Sequence, residues 1–161
     1  MERLVFAVVT VSDTRNEQSD LAGPAIVEEL ERLNPVKIET HIVSDDFTDI
    51  QALLKELARF CSVVITTGGT GFTPRDVTPE ATLPLLSKRA NGIEGLILKK
   101  GLEETPFAPL SRGVCGLSGT CFIANLPGSP KGAKCGAKAL LPLLPHILDQ
   151  IAGGTHEPDV D

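Results

Sequence analysis

Glycines, hydroxyl groups and carboxylates are concentrated in a few short segments, each of which follows an apolar, β-branched run. Four such segments are Ser12-Asp13, Ser44-Asp45-Asp46, Gly68-Gly69-Thr70-Gly71 and Asn125-Leu126-Pro127-Gly128-Ser129. Closely spaced glycines let backbone N–H groups approach a ligand, and a helix N-terminus behind them adds partial positive charge. We therefore predict that the loop Thr67–Asp76 binds a phosphate-bearing nucleotide.

This glycine loop matches neither of two common phosphate motifs. It lacks the Lys-Ser/Thr pair that follows the last glycine of a Walker A loop, and its glycine spacing differs from GxGxxG. Taken alone, Gly68–Gly71 is equally consistent with an ordinary tight turn.

Two carboxylates give the loop a possible chemistry. Asp76 lies eight residues after Gly68, and Asp45 follows a different strand. Carboxylates next to phosphates repel them unless a cation lies between, so Asp45 and Asp76 predict Mg²⁺ held jointly by protein and substrate phosphates. Such a metal would stabilise charge on a leaving pyrophosphate, which favours phosphoryl or nucleotidyl transfer. The alternative is that these acids, with Asp46, are solvated loop residues or helix caps.

Apolar patterns predict the elements that position these residues. The Val-rich run Arg3–Ser12 indicates a strand covered on both faces, as in a parallel sheet. Ala25–Leu33 has helical periodicity, Val36–Val43 alternates like a half-exposed strand near an edge, and Ser62–Thr67 is a short strand. This alternation predicts an α/β fold, a three-layer α/β/α sandwich with a mostly parallel sheet. Ligands of such sheets bind beyond the carboxyl ends of the strands.

Two helix starts are predicted from capping patterns. Thr48 with Gln51 forms a capping box, and Thr78 is a capping hydroxyl followed by Pro79 and Glu80.

The second half of the sequence is less regular. Gly92–Leu102 is expected to be helical despite its glycines, and Val114–Leu117 with Thr120–Asn125 predicts a hairpin. A final helix rich in leucine should be kinked or broken where Pro142 and Pro145 fall.

Length and composition narrow the class of protein. The 161 residues fit one domain at 1–152, with a frayed acidic tail at 153–161. A net charge of −6 argues against nucleic-acid binding, and no apolar run is long enough to cross a membrane. The four cysteines lack metal-ligand spacing, so buried reduced thiols in a cytoplasmic protein are expected.

Other polar residues have simpler interpretations. His41 fits a surface position on its strand, and neither His146 nor His156 suggests a catalytic triad. Ser111-Arg112 is explained by a turn or, alternatively, by phosphate contact through Arg112. Lys131 is expected in solvent, with a phosphate at the second glycine loop as the alternative.

The run Thr66–Thr82 (TTGGTGFTPRDVTPEAT) resembles the signature of the molybdopterin-binding family, which includes bacterial molybdopterin adenylyltransferases and the G domain of gephyrin. Other segments match in the same order, and the resemblance covers nearly the whole chain. They are Val11-Ser12-Asp13-Thr14, Val43-Ser44-Asp45-Asp46, Thr105-Pro106-Phe107, Leu110-Ser111-Arg112, Asn125–Pro130 and Leu141–Ile151.

The resemblance implies a trimeric enzyme that uses Mg-ATP to adenylylate molybdopterin, releasing pyrophosphate, and a partner domain or protein that then inserts molybdate. It places the family's two essential acids on Asp45 and Asp76, the same residues that are predicted to hold Mg²⁺. The substrate and nucleotide contacts are assigned to Ser12, Asp13, Gly68, Gly69, Thr70, Gly71, Thr78, Glu80, Ser111, Arg112, Asn125, Pro127, Gly128 and Ser129.

The sequence departs from the family pattern in two places. Asp20-Leu21-Ala22-Gly23 stands where relatives often have Asp-x-Ser-Gly, and Asn91-Gly92 where many have Pro-Gly. Two alternative functions follow from the same family: a non-catalytic, trimerising scaffold module like the gephyrin G domain, and a related nucleotide-handling domain as in competence-damage proteins.

Overall fold

Six strands form one sheet in the computed structural model, which describes residues 4–154. The strands are β1 (Val5–Val11), β2 (Lys37–Val43), β3 (Val63–Thr67), β4 (Lys88–Arg89), β5 (Cys115–Ser118) and β6 (Cys121–Leu126). Their spatial order is β2-β1-β3-β6-β5-β4. The first four in that order are parallel, and β5 is antiparallel to both β6 and β4. The predicted mostly parallel sheet is confirmed.

Six α-helices cover the two faces of the sheet. They are α1 (Ala22–Leu30), α2 (Phe47–Leu57), α3 (Thr78–Thr82), α4 (Asn91–Leu102), α5 (Pro130–Leu140) and α6 (Leu144–Ile151). Short 3₁₀ turns at Glu31–Leu33, Leu83–Leu85 and Ala108–Leu110 complete the described elements. Arg3 of the predicted first strand and residues 155–161 of the predicted tail, with His156, lie outside the described residues.

Successive side chains of β1 supply two separate cores, because strand side chains alternate between the faces of a sheet. Phe6 and Val8 are buried on one face, in a cluster with residues of α1, α5 and α6. Ala7 and Val9 are buried on the other face, in a cluster with α2 and Ala81 of α3. The predicted strand covered on both faces, and with it the three-layer architecture, is confirmed.

The two edge strands of the sheet are more exposed to solvent than its central strands. β2 lies at one edge, as its alternation predicted, and all seven of its residues are partly or fully exposed. The other edge is β4, a two-residue strand of Lys88 and Arg89 that no sequence pattern indicated.

Both predicted helix caps are wrong by one or two residues. Asp46, extended at the end of β2, caps α2 by accepting the N–H of Asp49 on Oδ1 at 2.9 Å, so Thr48 lies inside the helix. Thr78 is the first residue of α3, and its hydroxyl donates to Gly68 O at 3.0 Å instead of capping the helix. In both places the strand end or loop fixes where the helix starts.

The less regular second half follows the prediction closely. α4 is helical despite its three glycines, and Gly119, at φ +60°, turns the predicted hairpin between β5 and β6. The final helix is broken at 141–143, with Pro142 in the break and Pro145 in the first turn of α6. No helix within residues 4–154 is long and apolar enough to cross a membrane.

The four cysteines are free thiols, and their predicted burial is confirmed for three of them but is wrong for Cys135. Cys61, Cys115 and Cys121 are buried and Cys135 is partly exposed. Burial raises the pKa of Cys61 to about 11 and those of Cys115 and Cys121 to about 12.

Candidate functional site

The carboxyl ends of four neighbouring strands meet at one rim of the sheet. Val11 pairs with Val43, and Thr67 pairs with both Thr10 and Leu126. The segments that follow these residues are therefore adjacent. The structure brings together the four segments that the sequence predicted to converge.

The first glycine loop has a backbone that only glycine adopts without strain. Gly68 and Gly69 have φ values of +97° and +67°. A Cβ atom on Gly68 would lie 2.5 Å from Val11 O, and one on Gly69 would overlap with Thr78 Oγ1. These residues are glycines because of conformation and close backbone approach. The N–H of Gly68 donates to Leu126 O at 3.2 Å, so the N–H groups of Gly69, Thr70 and Gly71 are the ones left for a ligand.

Asp76 closes the loop on itself. Its Oδ2 accepts the N–H of Thr73 at 3.0 Å, and a Cβ atom on Gly71 would lie 2.9 Å from the same oxygen. Thr78 adds a second closure, because its N–H donates to Gly69 O at 3.1 Å. The carboxylate of Asp76 thus lies directly beside the glycine backbone.

Arg112 braces the loop from the opposite side. Its Nε donates to Gly71 O at 2.8 Å and its Nη2 to Asp76 O at 3.1 Å, while its Nη1 pairs with Glu80. Its backbone N–H donates to Thr70 O at 2.8 Å, and its guanidinium lies 5.5 Å from the ring centroid of Phe72. The guanidinium donors of Arg112 are directed at protein acceptors, which favours the structural interpretation of this residue.

Ser111 also lies on the first loop. Its hydroxyl donates to Thr70 Oγ1 at 3.1 Å, or accepts from it, and both side chains line the cleft described below.

Asp13 and Asp45 link the ends of β1 and β2. Each backbone N–H donates to the other residue's carboxylate, at 3.1 Å from Asp13 N and 2.8 Å from Asp45 N. Arg75 pairs with the second oxygen of Asp13 and so ties the glycine loop to this pair. Ser12 accepts the N–H groups of Thr14 and Arg15 on its hydroxyl oxygen, so it shapes the turn after β1.

The pKa of Asp45 lies above its ordinary value. Partial burial is the main cause, and the charges of Asp13 and Asp76 act in the same direction, whereas the N–H of Asp13 and the charge of Arg75 oppose them. Asp45 is therefore close enough to both acids to sense their charge.

The second glycine loop, 127–130, abuts the first. A Cβ atom on Gly128 would lie 3.2 Å from Gly68 Cα, and Thr67 Oγ1 donates to Pro127 O at 2.7 Å. Ser129 caps α5 by accepting the N–H of Gly132 at 3.1 Å, and Arg15 Nη1 donates to Gly128 O at 3.0 Å. The two loops form one continuous surface.

Asn125 is buried beneath this surface. Its Nδ2 donates to Thr66 Oγ1 at 2.9 Å and Thr82 Oγ1 at 3.1 Å, and its Oδ1 accepts the N–H of Val114 at 3.2 Å. With these partners the side chain fixes β6 against β3, α3 and the start of β5.

A cleft of about 1000 Å³ opens beside the two loops. Its other walls come from α4, the 105–112 segment, and α5, and a bidentate ion pair between Arg89 and Glu94 lies among its lining residues. Open clefts of this size accept drug-sized or larger ligands.

A metal at this rim would need ligands from outside the protein. Within residues 4–154 no group of three or more His, Cys, Asp or Glu side chains is arranged to hold a metal ion. The oxygen donors of Asp45 and Asp76 do suit Mg²⁺, which commonly binds one or two carboxylates and completes its shell with phosphate oxygens and water.

Sequence reasoning missed one residue of the rim, Arg75, but it did consider His41, Lys131 and Ala22. Arg75 was not singled out, although it directly precedes Asp76 in the signature run. His41 is partly exposed on β2 and contacts Glu39, away from the rim. Lys131 pairs with Glu104 at 3.1 Å. Ala22, where relatives often have serine, is fully buried at the start of α1.

Comparison with known proteins gives consistent matches over most of the chain. A family model described as a probable molybdopterin binding domain matches residues 7–146. The molybdopterin adenylyltransferase of Helicobacter pylori is 36% identical over 159 residues, covering 95% of this chain and 90% of its own. The solved structure of a molybdopterin biosynthesis protein from Mycobacterium abscessus has a TM-score of 0.87 at 35% identity, covering 94% of this chain and 98% of its own.

A longer relative shows the same similarity over part of its length. The molybdenum cofactor synthesis protein cinnamon of Drosophila melanogaster is 39% identical over 156 residues, which is 94% of this chain. The chain spans 26% of the length of that relative.

Proposed function

Because this chain belongs to the molybdopterin-binding domain family, we propose that it acts in molybdenum cofactor biosynthesis as a molybdopterin adenylyltransferase. In this reaction a nucleophilic oxygen of molybdopterin attacks the α-phosphorus of ATP. The bond between the α-phosphorus and the bridging oxygen breaks, and pyrophosphate leaves. The products are adenylylated molybdopterin and pyrophosphate.

The observation that carries the proposal is the meeting of a glycine loop with two acids at one rim. The backbone N–H groups of Gly69, Thr70 and Gly71 make no hydrogen bond within residues 4–154 and are available to bind phosphate oxygens, whereas the N–H of Gly68 donates to Leu126 O. Asp76 is folded against this loop, and Asp45 is held by Asp13 on the neighbouring strand ends. Binding the reacting groups in one fixed geometry is the main contribution that such a site makes.

Mg²⁺ is proposed as the cofactor, with Asp45 and Asp76 as its protein ligands. Bound there with the phosphates, it would neutralise charge that develops on the leaving pyrophosphate. Ser111 and Ser129 line the cleft, and we assign both to positioning bound substrate.

The test is pyrophosphate release by the purified chain supplied with ATP, Mg²⁺ and molybdopterin. Asp76→Ala should abolish release, whereas Asp149→Ala on α6, away from the rim, should not. Full turnover by Asp76→Ala would remove this carboxylate from the mechanism, and no release by the wild-type chain would contradict the proposal. Release that continues after chelation of divalent cations would contradict the role of Mg²⁺.

We also propose that the chain forms homotrimers in the cytoplasm. The proposal is carried by the family membership, and exposed apolar side chains outside the cleft, such as Leu21, Val36 and Phe60, are available for contacts between copies. Sedimentation at micromolar concentration should give three times the 17.1 kDa chain mass, and a monomer would contradict the trimer. Cell fractionation tests the location.

The longer Drosophila relative favours a second candidate function. In that protein a domain like this one makes up about a quarter of the chain. A trimerising scaffold role beside a molybdate-inserting domain or partner protein is therefore the alternative to catalysis. A chain that forms trimers and binds molybdopterin, but releases no pyrophosphate, would favour the scaffold.

A further inference from the structure

A second cavity, of about 490 Å³, lies at the outer end of the cleft between α4 and α5. Four lysines line it, against two glutamates, together with Cys135 and Ala139. The charged residues are Lys100, Glu103, Glu104, Lys131, Lys134 and Lys138. We call this cavity the lysine groove. Its positive balance contrasts with the net charge of −6 for the whole chain.

The lysines come from two helices that face each other. Lys131, Lys134 and Lys138 lie three and four residues apart, and this spacing places them on one face of α5. Lys100 approaches from the last turns of α4. A single solvated helix face would be convex, whereas these four lysines line a concave space large enough for a small ligand.

Two of the four charges are not balanced by the protein. Lys131 pairs with Glu104 at 3.1 Å and Lys100 approaches Glu103 at 3.8 Å. Within residues 4–154, Lys134 and Lys138 make no ion pair. Both extra charges therefore lie free beside the groove and favour an anion there.

The groove is continuous with the cleft. Glu104, Lys131 and Cys135 line both cavities, so the Lys131–Glu104 ion pair lies at their boundary. Lys131 also follows the second glycine loop by two residues, and Gly128 of that loop abuts Gly68. The two glycine loops, Lys131 and the groove thus follow one another along one continuous surface, with the Glu104 carboxylate paired to Lys131 where the two cavities meet.

We propose that the lysine groove is a binding subsite for pyrophosphate, reached from the cleft along this surface. A diphosphate has several negative charges and multiple acceptor oxygens, which match the lysines that two helices contribute. The source of the anion rests on the proposed function, since adenylyl transfer releases pyrophosphate in the cleft. The binding itself depends only on the groove.

Titration calorimetry with inorganic pyrophosphate, in buffer containing EDTA, tests the subsite directly. Chelation removes Mg²⁺, so binding that depends on the metal and the rim acids is suppressed. The wild-type chain should bind pyrophosphate under these conditions, more weakly as the salt concentration rises. Asp76→Ala should bind it equally well, because Asp76 does not line the groove.

The groove variant combines Lys134→Gln with Lys138→Gln. Its matched control combines Lys55→Gln with Lys99→Gln, which removes the same amount of charge from exposed positions outside the groove. We expect the groove variant to weaken pyrophosphate binding by about tenfold or more, and the control by less than about twofold. Circular dichroism checks that both variants are folded. Equal binding by the two variants, or wild-type binding only with Mg²⁺ and intact Asp76, would overturn the proposal.

This experiment separates the subsite from the proposed function. If pyrophosphate binds in the groove but molybdopterin is not adenylylated, only the proposed reaction fails. If adenylylation proceeds while the groove variant binds pyrophosphate normally, only the subsite fails.

Discussion

Asp13 and Asp45 hold each other by two reciprocal hydrogen bonds, each from a backbone N–H to the other residue's carboxylate, at 3.1 and 2.8 Å. They come from consecutive strands of the sequence that are also neighbours in the sheet. The position of Asp45 therefore depends on a carboxylate that is not itself one of the two proposed catalytic acids.

Removing the side chain of Asp13 should impair the reaction through Asp45. Asp13→Ala removes the acceptor for the N–H of Asp45 and the partner of Arg75, and a misplacement of about 1 Å can cost about a hundredfold in rate. We expect the kcat of pyrophosphate release to fall about tenfold to a hundredfold. Asp13→Asn keeps one acceptor oxygen and should lose less. Unchanged kcat in Asp13→Ala would show that the reciprocal pair does not position Asp45.

Gly69→Ala should be destabilising beyond the cost of its positive φ. Gly119 is a matched control, since it has a φ of +60° against +67° for Gly69, but open space around its Cβ position. Gly119→Ala should cost about 1–2 kcal/mol of unfolding free energy from backbone conformation alone. Gly69→Ala should cost more, because the new Cβ overlaps with the Thr78 hydroxyl. Urea denaturation measures both, and equal losses would contradict the close approach.

Arg112→Lys should loosen the glycine loop although the charge is kept. A lysine cannot donate at once to Gly71 O, Asp76 O and Glu80, because these acceptors are arranged around a planar guanidinium. We expect lower kcat/KM and faster hydrogen exchange at hydrogen-bonded loop amides such as those of Thr73 and Asp76. Lys88→Arg, a change between the same residue types at an exposed edge, should affect neither. Wild-type exchange rates in Arg112→Lys would contradict the bracing role.

Alkaline conditions should destabilise the fold through three buried thiols. Burial raises their pKa values in the folded chain from an ordinary value of 9.0 to about 11 for Cys61 and about 12 for Cys115 and Cys121. Above pH 9 the unfolded chain therefore loses these protons while the folded chain keeps them, so stability falls as pH rises towards the folded values. Each thiol contributes up to about 1.4 kcal/mol per pH unit.

The measurement is urea denaturation at several pH values above 9. Cys121→Ala should give a shallower decline than the wild-type chain, since it removes one of the three groups. No tyrosine is present to ionise in the same range. Parallel declines in the two proteins would exclude Cys121 as a source of the pH dependence.

Much of the rim could be predicted because strand ends are visible in sequence. Buried parallel strands are continuous apolar runs, and the residue after each run must lie at the carboxyl edge of the sheet. That reasoning located Asp13, Asp45 and both glycine loops. The position of the α2 cap could not be decided in the same way, because Asp46 with Asp49 and Thr48 with Gln51 offer the same spacing. The end of β2 selects Asp46.

Features that depend on distant contacts were beyond the sequence. Arg75 reaches Asp13, which is 62 residues away, and nothing local distinguishes it from an exposed loop arginine. β4 has only two residues, and its pairing with Leu117 and Gly116 creates it. The roles of Asn125 and Arg112 likewise depend on which backbone groups the fold leaves for them.

The two edge strands limit how copies of this chain can associate. β2 displays Lys37 and Glu39, and β4 consists of Lys88 and Arg89, so neither edge offers an apolar strand on which a second sheet could continue. Like-charged β4 edges would repel one another if two copies met there. These charged edges therefore disfavour open-ended fibres built by strand pairing. Closed assemblies would form through the helical surfaces instead.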